Sequence, residues 1–229
     1  MMKPSIGMRV GHGPQVKVCG LTVVEEAVAC AELGVDALGL VFYPPSPRFV
    51  SDQTAASIVA GLPERIWTVG VFVNESFSAI MQRVEKCRIR AVQLHGAESP
   101  DLVAALMREG VLVIKSLFQN RRPNIAEFSS YGASAYLVEG GGGALPGGNA
   151  LTWNWSSVRE SLGEAGCILA GGLDPGNVAP VIEAVSPDAV DVSSGVESRP
   201  GRKDIVKVTE FMKAVRGAMP GCERERIFK

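Results

Sequence analysis

The sequence predicts an α/β fold, a single closed (β/α)8 TIM barrel, from three observations. Short apolar runs alternate with helical apolar patterns eight times without an intervening linker, as in a parallel sheet covered by helices. The length of 229 residues suits one such barrel, which typically runs to about 250. The last two strand patterns both exit into backbone and hydroxyl donors, at Gly171-Gly172 and Ser193-Ser194-Gly195. Adjacent exits of that kind form an anion cradle, which barrels place after strands seven and eight. A doubly wound open sheet would instead carry a phosphate loop after its first strand. The first strand here exits as Cys19-Gly20-Leu21-Thr22, with no GxGxxG pattern.

Each unit follows from its residues. Residues 1–14 are an extension, 15–217 the barrel, and 218–229 a patternless tail expected to be mobile. Strands are predicted at 15–19, 36–42, 67–73, 91–96, 111–116, 135–139, 167–170 and 189–193. Their near-continuous apolar character fits burial on both faces. Thr22 and Glu25 form a capping-box pattern before a helix whose apolar face is Ala27, Cys30 and Ala31. Ser51 caps a second helix carrying Ala55 and Ile58. Phe77, Ile80, Met81 and Val84 mark a third, and Ser99-Pro100 starts a fourth. Residues 119–133 give the weakest helical pattern, and Trp153 and Trp155 lead into a short helical piece. Asp174 and Pro175 read as N-cap and first residue of a helix buried through Val178, Val181, Ile182 and Val185. A last helix uses Ile205, Val208, Met212 and Val215.

Composition narrows the function. A net charge of −1 with no long basic run argues against nucleic acid or an anionic membrane as partner. No apolar run approaches the roughly 20 residues of a membrane span, and residues 1–14 lack a signal-peptide core. Five scattered cysteines without a CxxC pair, and only two histidines, suit a reducing, cytoplasmic setting and argue against a metal site.

Side chains at strand C-termini face the mouth of a barrel. There the sequence offers Cys19 as a base, Arg48 as a planar cation for a carboxylate, Gln93 and His95, Glu139 as an acid, and the cradle of Gly171, Gly172, Ser193, Ser194 and Gly195. For His95 a hydrogen-bonded structural role is at least as well supported as substrate contact. The set suits proton transfer on a phosphosugar that bears a second anionic group. Lys17 shares the inward face of Cys19, and Asp191 that of Ser193. The two are expected to pair inside the barrel and to favour the Cys19 thiolate.

Lys17-Val18-Cys19-Gly20-Leu21-Thr22, the segment Val41 to Val50 with its three prolines and Arg48, Gln93-Leu94-His95-Gly96, Ala170-Gly171-Gly172-Leu173 and Asp191-Val192-Ser193-Ser194-Gly195-Val196-Glu197 together resemble the phosphoribosylanthranilate isomerases of tryptophan biosynthesis. The resemblance covers nearly the whole chain. It implies a barrel without cofactor, monomeric or homodimeric, that performs an Amadori rearrangement on a small phosphosugar substrate. It places the general base on Cys19, the anthranilate-carboxylate arginine on Arg48, and the phosphate loops on Gly171-Gly172 and Ser193-Ser194-Gly195.

One position departs from the family. Its general-acid aspartate corresponds to Glu139, followed here by the longer glycine-rich stretch 140–150. Glu139 is the expected acid, as no other acid is expected at a strand end in the mouth. The departure keeps two further readings open: a relative acting on another phosphosugar amine, and a non-catalytic barrel that binds a phosphorylated ligand.

Overall fold

A computed structural model describes residues 13–141, 155, 158–218 and 226–229. The expectations for the extension before residue 13, for most of the 140–150 stretch and for Trp153 lie outside these residues. Eight parallel strands close into a barrel in sequence order. They are β1 (Gln15–Cys19), β2 (Ala37–Val41), β3 (Trp67–Phe72), β4 (Ala91–Leu94), β5 (Leu112–Phe118), β6 (Ala135–Glu139), β7 (Cys167–Leu169) and β8 (Ala189–Val192). β8 returns to β1 with Asp191 opposite Lys17. Around them lie α1 (Val24–Glu32), α2 (Asp52–Ala60), α3 (Phe77–Cys87), α4 (Pro100–Arg108), α5 (Val158–Leu162), α6 (Val178–Val185) and α7 (Ile205–Gly217).

The helices begin where short polar side chains satisfy free N–H groups. Ser51 accepts from Thr54, Ser76 from Ala79 and Ser99 from Leu102. Two expected caps are replaced. α1 starts at Val24, so that Val23, which has no polar side chain, occupies the cap position, and the Thr22 hydroxyl one residue earlier donates to the Gly201 carbonyl at 2.5 Å. α6 starts at Val178, not Pro175. Asp174 instead turns the preceding loop by accepting from Gly176 and Asn177 N–H. The weak 119–133 pattern becomes one 3-10 turn at Ile125–Ser130. β5 runs two residues beyond its expected end.

Alternation along each strand separates two cores. One lies between strands and helices, built from residues such as Val18, Leu38, Leu40, Val92 and Val190. The other fills the barrel in layers drawn from alternate strands. Near the floor, even-numbered strands contribute Ala37, Ala91, Ala135 and Ala189, all fully buried. Above them odd-numbered strands contribute Lys17, Val69, Ile114 and Ile168.

Four alanines cannot fill that cross-section, and the end of the chain does. Phe228 joins the interior cluster at 3% exposure, its ring 6.0 Å from that of Trp67. The Gln15 side chain accepts from the N–H groups of Ile227 and Phe228 and donates to the Phe228 carbonyl. The expectation of a mobile tail is therefore wrong for residues 226–229, whose apolar pair Ile227-Phe228 finds burial and whose backbone groups find partners.

A second feature has no counterpart in the sequence reading. After β8 a 3-10 turn (Ser194–Val196) leads into an antiparallel hairpin of β9 (Glu197–Arg199) and β10 (Arg202–Lys203). Glu26 of α1 ties it down, accepting from Arg202 Nε at 2.6 Å and from the Lys203 N–H at 2.8 Å.

Candidate active site

The mouth of the barrel holds a pocket of about 760 Å3, counting space open to solvent. Nine of the ten expected site residues line it: Cys19, Arg48, Gln93, His95, Glu139, Gly171, Gly172, Ser193 and Ser194. Gly195 does not. A Cβ there would lie 2.0 Å from the Leu173 carbonyl oxygen, so its lack of a side chain lets the exits of β7 and β8 touch. Among the described residues no group of three metal-ligating side chains comes together, and no helix is long and apolar enough to cross a membrane.

Cys19 ends β1 at 8% exposure. Gly39 makes room for it, since a Cβ at that position would sit 2.6 Å from the Cys19 sulfur. Two residues below, Lys17 Nζ donates to Asp191 Oδ1 at 2.8 Å inside the barrel, the expected buried pair. Burial opposes charge on the Lys17 amine, but Asp191 outweighs it and raises Lys17 above the ordinary lysine range. The expected gain in thiolate does not follow. Burial pushes the Cys19 thiol up, and the opposing pull of Lys17 and Lys203 is too small to reverse it.

Glu139 ends β6 at 7% exposure. Its Oε1 lies 3.4 Å from His95 Nε2. Burial pushes this carboxyl up, but His95, Arg121 and Lys17 outweigh burial and hold it below the ordinary glutamate range. On its other side the His95 ring is fixed by neighbours, with Gln93 Nε2 and Ser116 Oγ each 2.8 Å from Nδ1. His95 Nε2 has the Glu139 carboxylate beside it, whereas Gln93 Oε1 is buried without a hydrogen-bond partner among the described residues. Unpaired buried polar atoms are rare in native proteins, and this one belongs to a residue lining the pocket. The strand below is held by Lys115, which donates to the carbonyls of Leu94 and Gly96 and to Glu98 Oε2 at 2.8 Å.

The anion cradle has two halves. Gly171 and Gly172 adopt φ of +87° and +70°, a region that strongly favours glycine. Asn177 braces the turn by donating to the Gly172 carbonyl at 2.7 Å. On the β8 side the Ser193 hydroxyl donates to the Cys19 carbonyl at 3.0 Å. Its proton pins β8 to β1, and the Ser194 side chain lines the pocket beside it.

Arg48 does not stand free. Its Nε and Nη2 donate to Glu197 Oε1 and Oε2, both at 2.8 Å, with both residues buried. The arginine stem crosses Gly20, where a Cβ would lie 2.5 Å from Arg48 Cδ. Lys203 Nζ completes the group by donating to Glu197 Oε1 at 2.7 Å. Sequence reading missed Ser116 and Lys203 as site residues and gave Asp191 only a structural part, although Asp191 also lines the pocket. It does so from within β8, one residue before the strand's end. Glu197 stood within a quoted motif, but nothing local says that it faces Arg48, 149 residues away.

An eight-stranded barrel with a cysteine, a carboxylate and an anion cradle in one mouth defines the class of (β/α)8-barrel acid/base enzymes acting on phosphorylated ligands. The comparisons narrow the class. A family model described as N-(5'-phosphoribosyl)anthranilate (PRA) isomerase matches residues 16–214. An N-(5'-phosphoribosyl)anthranilate isomerase from Desulfatibacillum aliphaticivorans is 50% identical over 198 residues, covering 86% of this chain and 91% of that protein. The crystal structure of phosphoribosyl anthranilate isomerase from Thermotoga maritima superposes with a TM-score of 0.81 at 37% identity, covering 89% of this chain and 99% of that one. Another crystal structure of such an isomerase, in complex with reduced 1-(o-carboxyphenylamino)-1-deoxyribulose 5-phosphate, gives 0.78 at 36% identity, with the same coverage of both chains. The chain belongs to the N-(5'-phosphoribosyl)anthranilate isomerase family.

Proposed function

We infer that this protein is an isomerase of tryptophan biosynthesis, converting N-(5'-phosphoribosyl)anthranilate to 1-(o-carboxyphenylamino)-1-deoxyribulose 5-phosphate. The observation that carries the reading is the convergence of Cys19, Glu139, Arg48 and the Gly171-Gly172 turn on one pocket. A relative binds the reduced form of that product, which carries both a phosphate and a carboxylate.

The chemistry assigns each residue a task. The β7 and β8 exits, through Gly171, Gly172, Ser194 and the adjoining backbone, hold the phosphate. Arg48 takes the anthranilate carboxylate. Glu139 gives a proton to the ring oxygen of the ribose, the C1'–O bond breaks, and the nitrogen lone pair forms the iminium. Cys19 then removes the C2' proton, giving an enolamine that tautomerises to the ketose. Gln93 turns its unpaired Oε1 toward the sugar, and His95 holds the Glu139 carboxylate in place. Asp191 keeps Lys17 charged beneath Cys19.

The resting protonation is reversed relative to the working one. Glu139 is held low and Cys19 is pushed up, so at neutral pH the pair shares one proton, and it rests on sulfur. The productive form carries that proton on Glu139.

The reading also takes the protein to act in the cytoplasm as a monomer or homodimer, since a T. maritima relative is described as dimeric with monomers generated from it. The test is complementation of a tryptophan auxotroph lacking this isomerase, with conversion of N-(5'-phosphoribosyl)anthranilate by the purified protein. Growth and turnover support the assignment. Soluble protein that gives neither, yet binds the reduced product, points to the non-catalytic reading.

A further inference from the structure

The β9–β10 hairpin delivers two charged side chains to the back of the pocket wall. Glu197 opens the hairpin and Lys203 closes it. Both are buried, at 7% and 5% exposure, against Arg48 at 6%. Arg48 engages Glu197 through Nε and Nη2, side-on and bidentate. Among the described residues its Nη1 has no hydrogen-bond partner. A guanidinium offers one carboxylate-matching edge through Nε and one Nη, and another through the two Nη atoms. Glu197 fills the first, and the second remains for a ligand in the pocket that Arg48 lines.

Lys203 makes that arrangement tolerable. Two cations share one carboxylate, so the group keeps one net positive charge. Lys203 also donates to the Ser193 carbonyl at 3.2 Å, and Lys207 Nζ donates to the Glu197 carbonyl at 2.8 Å. Glu197 is thus fixed at both its side chain and its backbone, with Thr22 and Glu26 of the first βα unit holding the hairpin's far end. Gly201 brings that end against the second βα loop, where a Cβ would lie 2.8 Å from the Pro47 carbonyl oxygen. Arg48 is the next residue.

We propose that Glu197, backed by Lys203, is a specificity-determining positioning residue: it orients Arg48 so that the free Nη edge selects a carboxylate on the aromatic ring of the substrate. The inference rests on Arg48 as the carboxylate contact. Glu197 sets the direction of Arg48 through its two side-on bonds. Burial works against charge on the Lys203 amine, and Glu197 opposes it.

The experiment measures binding of two probes, reduced 1-(o-carboxyphenylamino)-1-deoxyribulose 5-phosphate and the same compound without the ring carboxyl. The parent prefers the carboxylated probe. Glu197→Gln loses about tenfold or more of that preference, on the scale of a hydrogen bond to a charged group, while its affinity for the decarboxylated probe stays within about twofold. KM for the substrate rises and kcat at saturation stays within a few-fold. Glu197→Asp keeps the charge but is one methylene shorter, so its carboxylate falls short of both nitrogens at once, and it loses about threefold; it decides the matter if Glu197→Gln does not fold. Either folded variant keeping the parent's ratio, or exceeding it, overturns the proposal, because Glu197 is then neutral to the ligand or competes with it. A parent that binds both probes equally removes the Arg48 contact itself, and that failure is visible before any variant is made.

Discussion

At the floor of the barrel, four alanines from alternate strands leave a space that Phe228 fills, and the chain end is held by one glutamine, Gln15. At the mouth Cys19, His95, Glu139 and Ser193 stand at the ends of β1, β4, β6 and β8, and the space between them is left open. Both ends carry buried polar groups, but their hydrogen bonding differs. Gln15 makes bonds through both its oxygen and its nitrogen. Gln93 leaves its oxygen without a partner among the described residues. A floor that is complete in itself contributes stability. A mouth with an unpaired buried polar atom forgoes some stability to keep a place for a ligand, as functional sites do.

That contrast is broken most severely if changes at the two ends have the same consequence. Cys19→Ala is expected to lower kcat by about a thousandfold, within the range for loss of a general base, while the thermal midpoint moves by no more than a few degrees. Phe228→Ala is expected to do the reverse. Emptying the floor costs about 3 kcal/mol, as for other large-to-small core changes, read as a loss of roughly 6–12 °C in a protein of this size, with kcat within about twofold of the parent. A Phe228→Ala protein as stable as the parent would remove the floor from the account.

Gly39→Ala sharpens the contrast, because it adds one methyl group against the Cys19 sulfur. It is expected to displace the thiol by about 1 Å and lower kcat by about 100-fold, with substrate binding retained. A pH profile gives the smallest change. With Glu139 held low and Cys19 pushed up, kcat/KM is flat through neutral pH while the pair holds one proton. It falls on the acid side only below the ordinary glutamate range, where both groups are protonated. It falls on the alkaline side only above the ordinary thiol range, where the shared proton is lost. A limb near neutrality would contradict the reversed protonation.

Much of the barrel was legible because its signals are local. Apolar runs gave all eight strands, Ser51 and Ser99 their helix starts, and alternation together with barrel closure placed Lys17 and Asp191 inward on adjacent strands. Most of the expected site residues reached the pocket because strand ends are easily located. What escaped depends on partners distant in sequence. Thr22 and Glu25 have the pattern of a capping box, yet Thr22 serves Gly201, 179 residues away, and Glu26 serves the hairpin. Ile227-Phe228 is two residues long, too short to show a period, and only the alanine layer gives it a place. The Cys19 thiol went the other way from expectation because burial is a property of the whole fold, whereas the lysine two residues away is visible in the sequence.

The account stands on Glu139 delivering the proton that Cys19 gives up, and Glu139→Gln tests that most directly. Its kcat for N-(5'-phosphoribosyl)anthranilate is measured at saturation, beside its affinity for the reduced product. The account predicts a loss of kcat of at least about a hundredfold, with affinity within a few-fold of the parent. A variant that turns over as fast as the parent would show that Glu139 is not the acid.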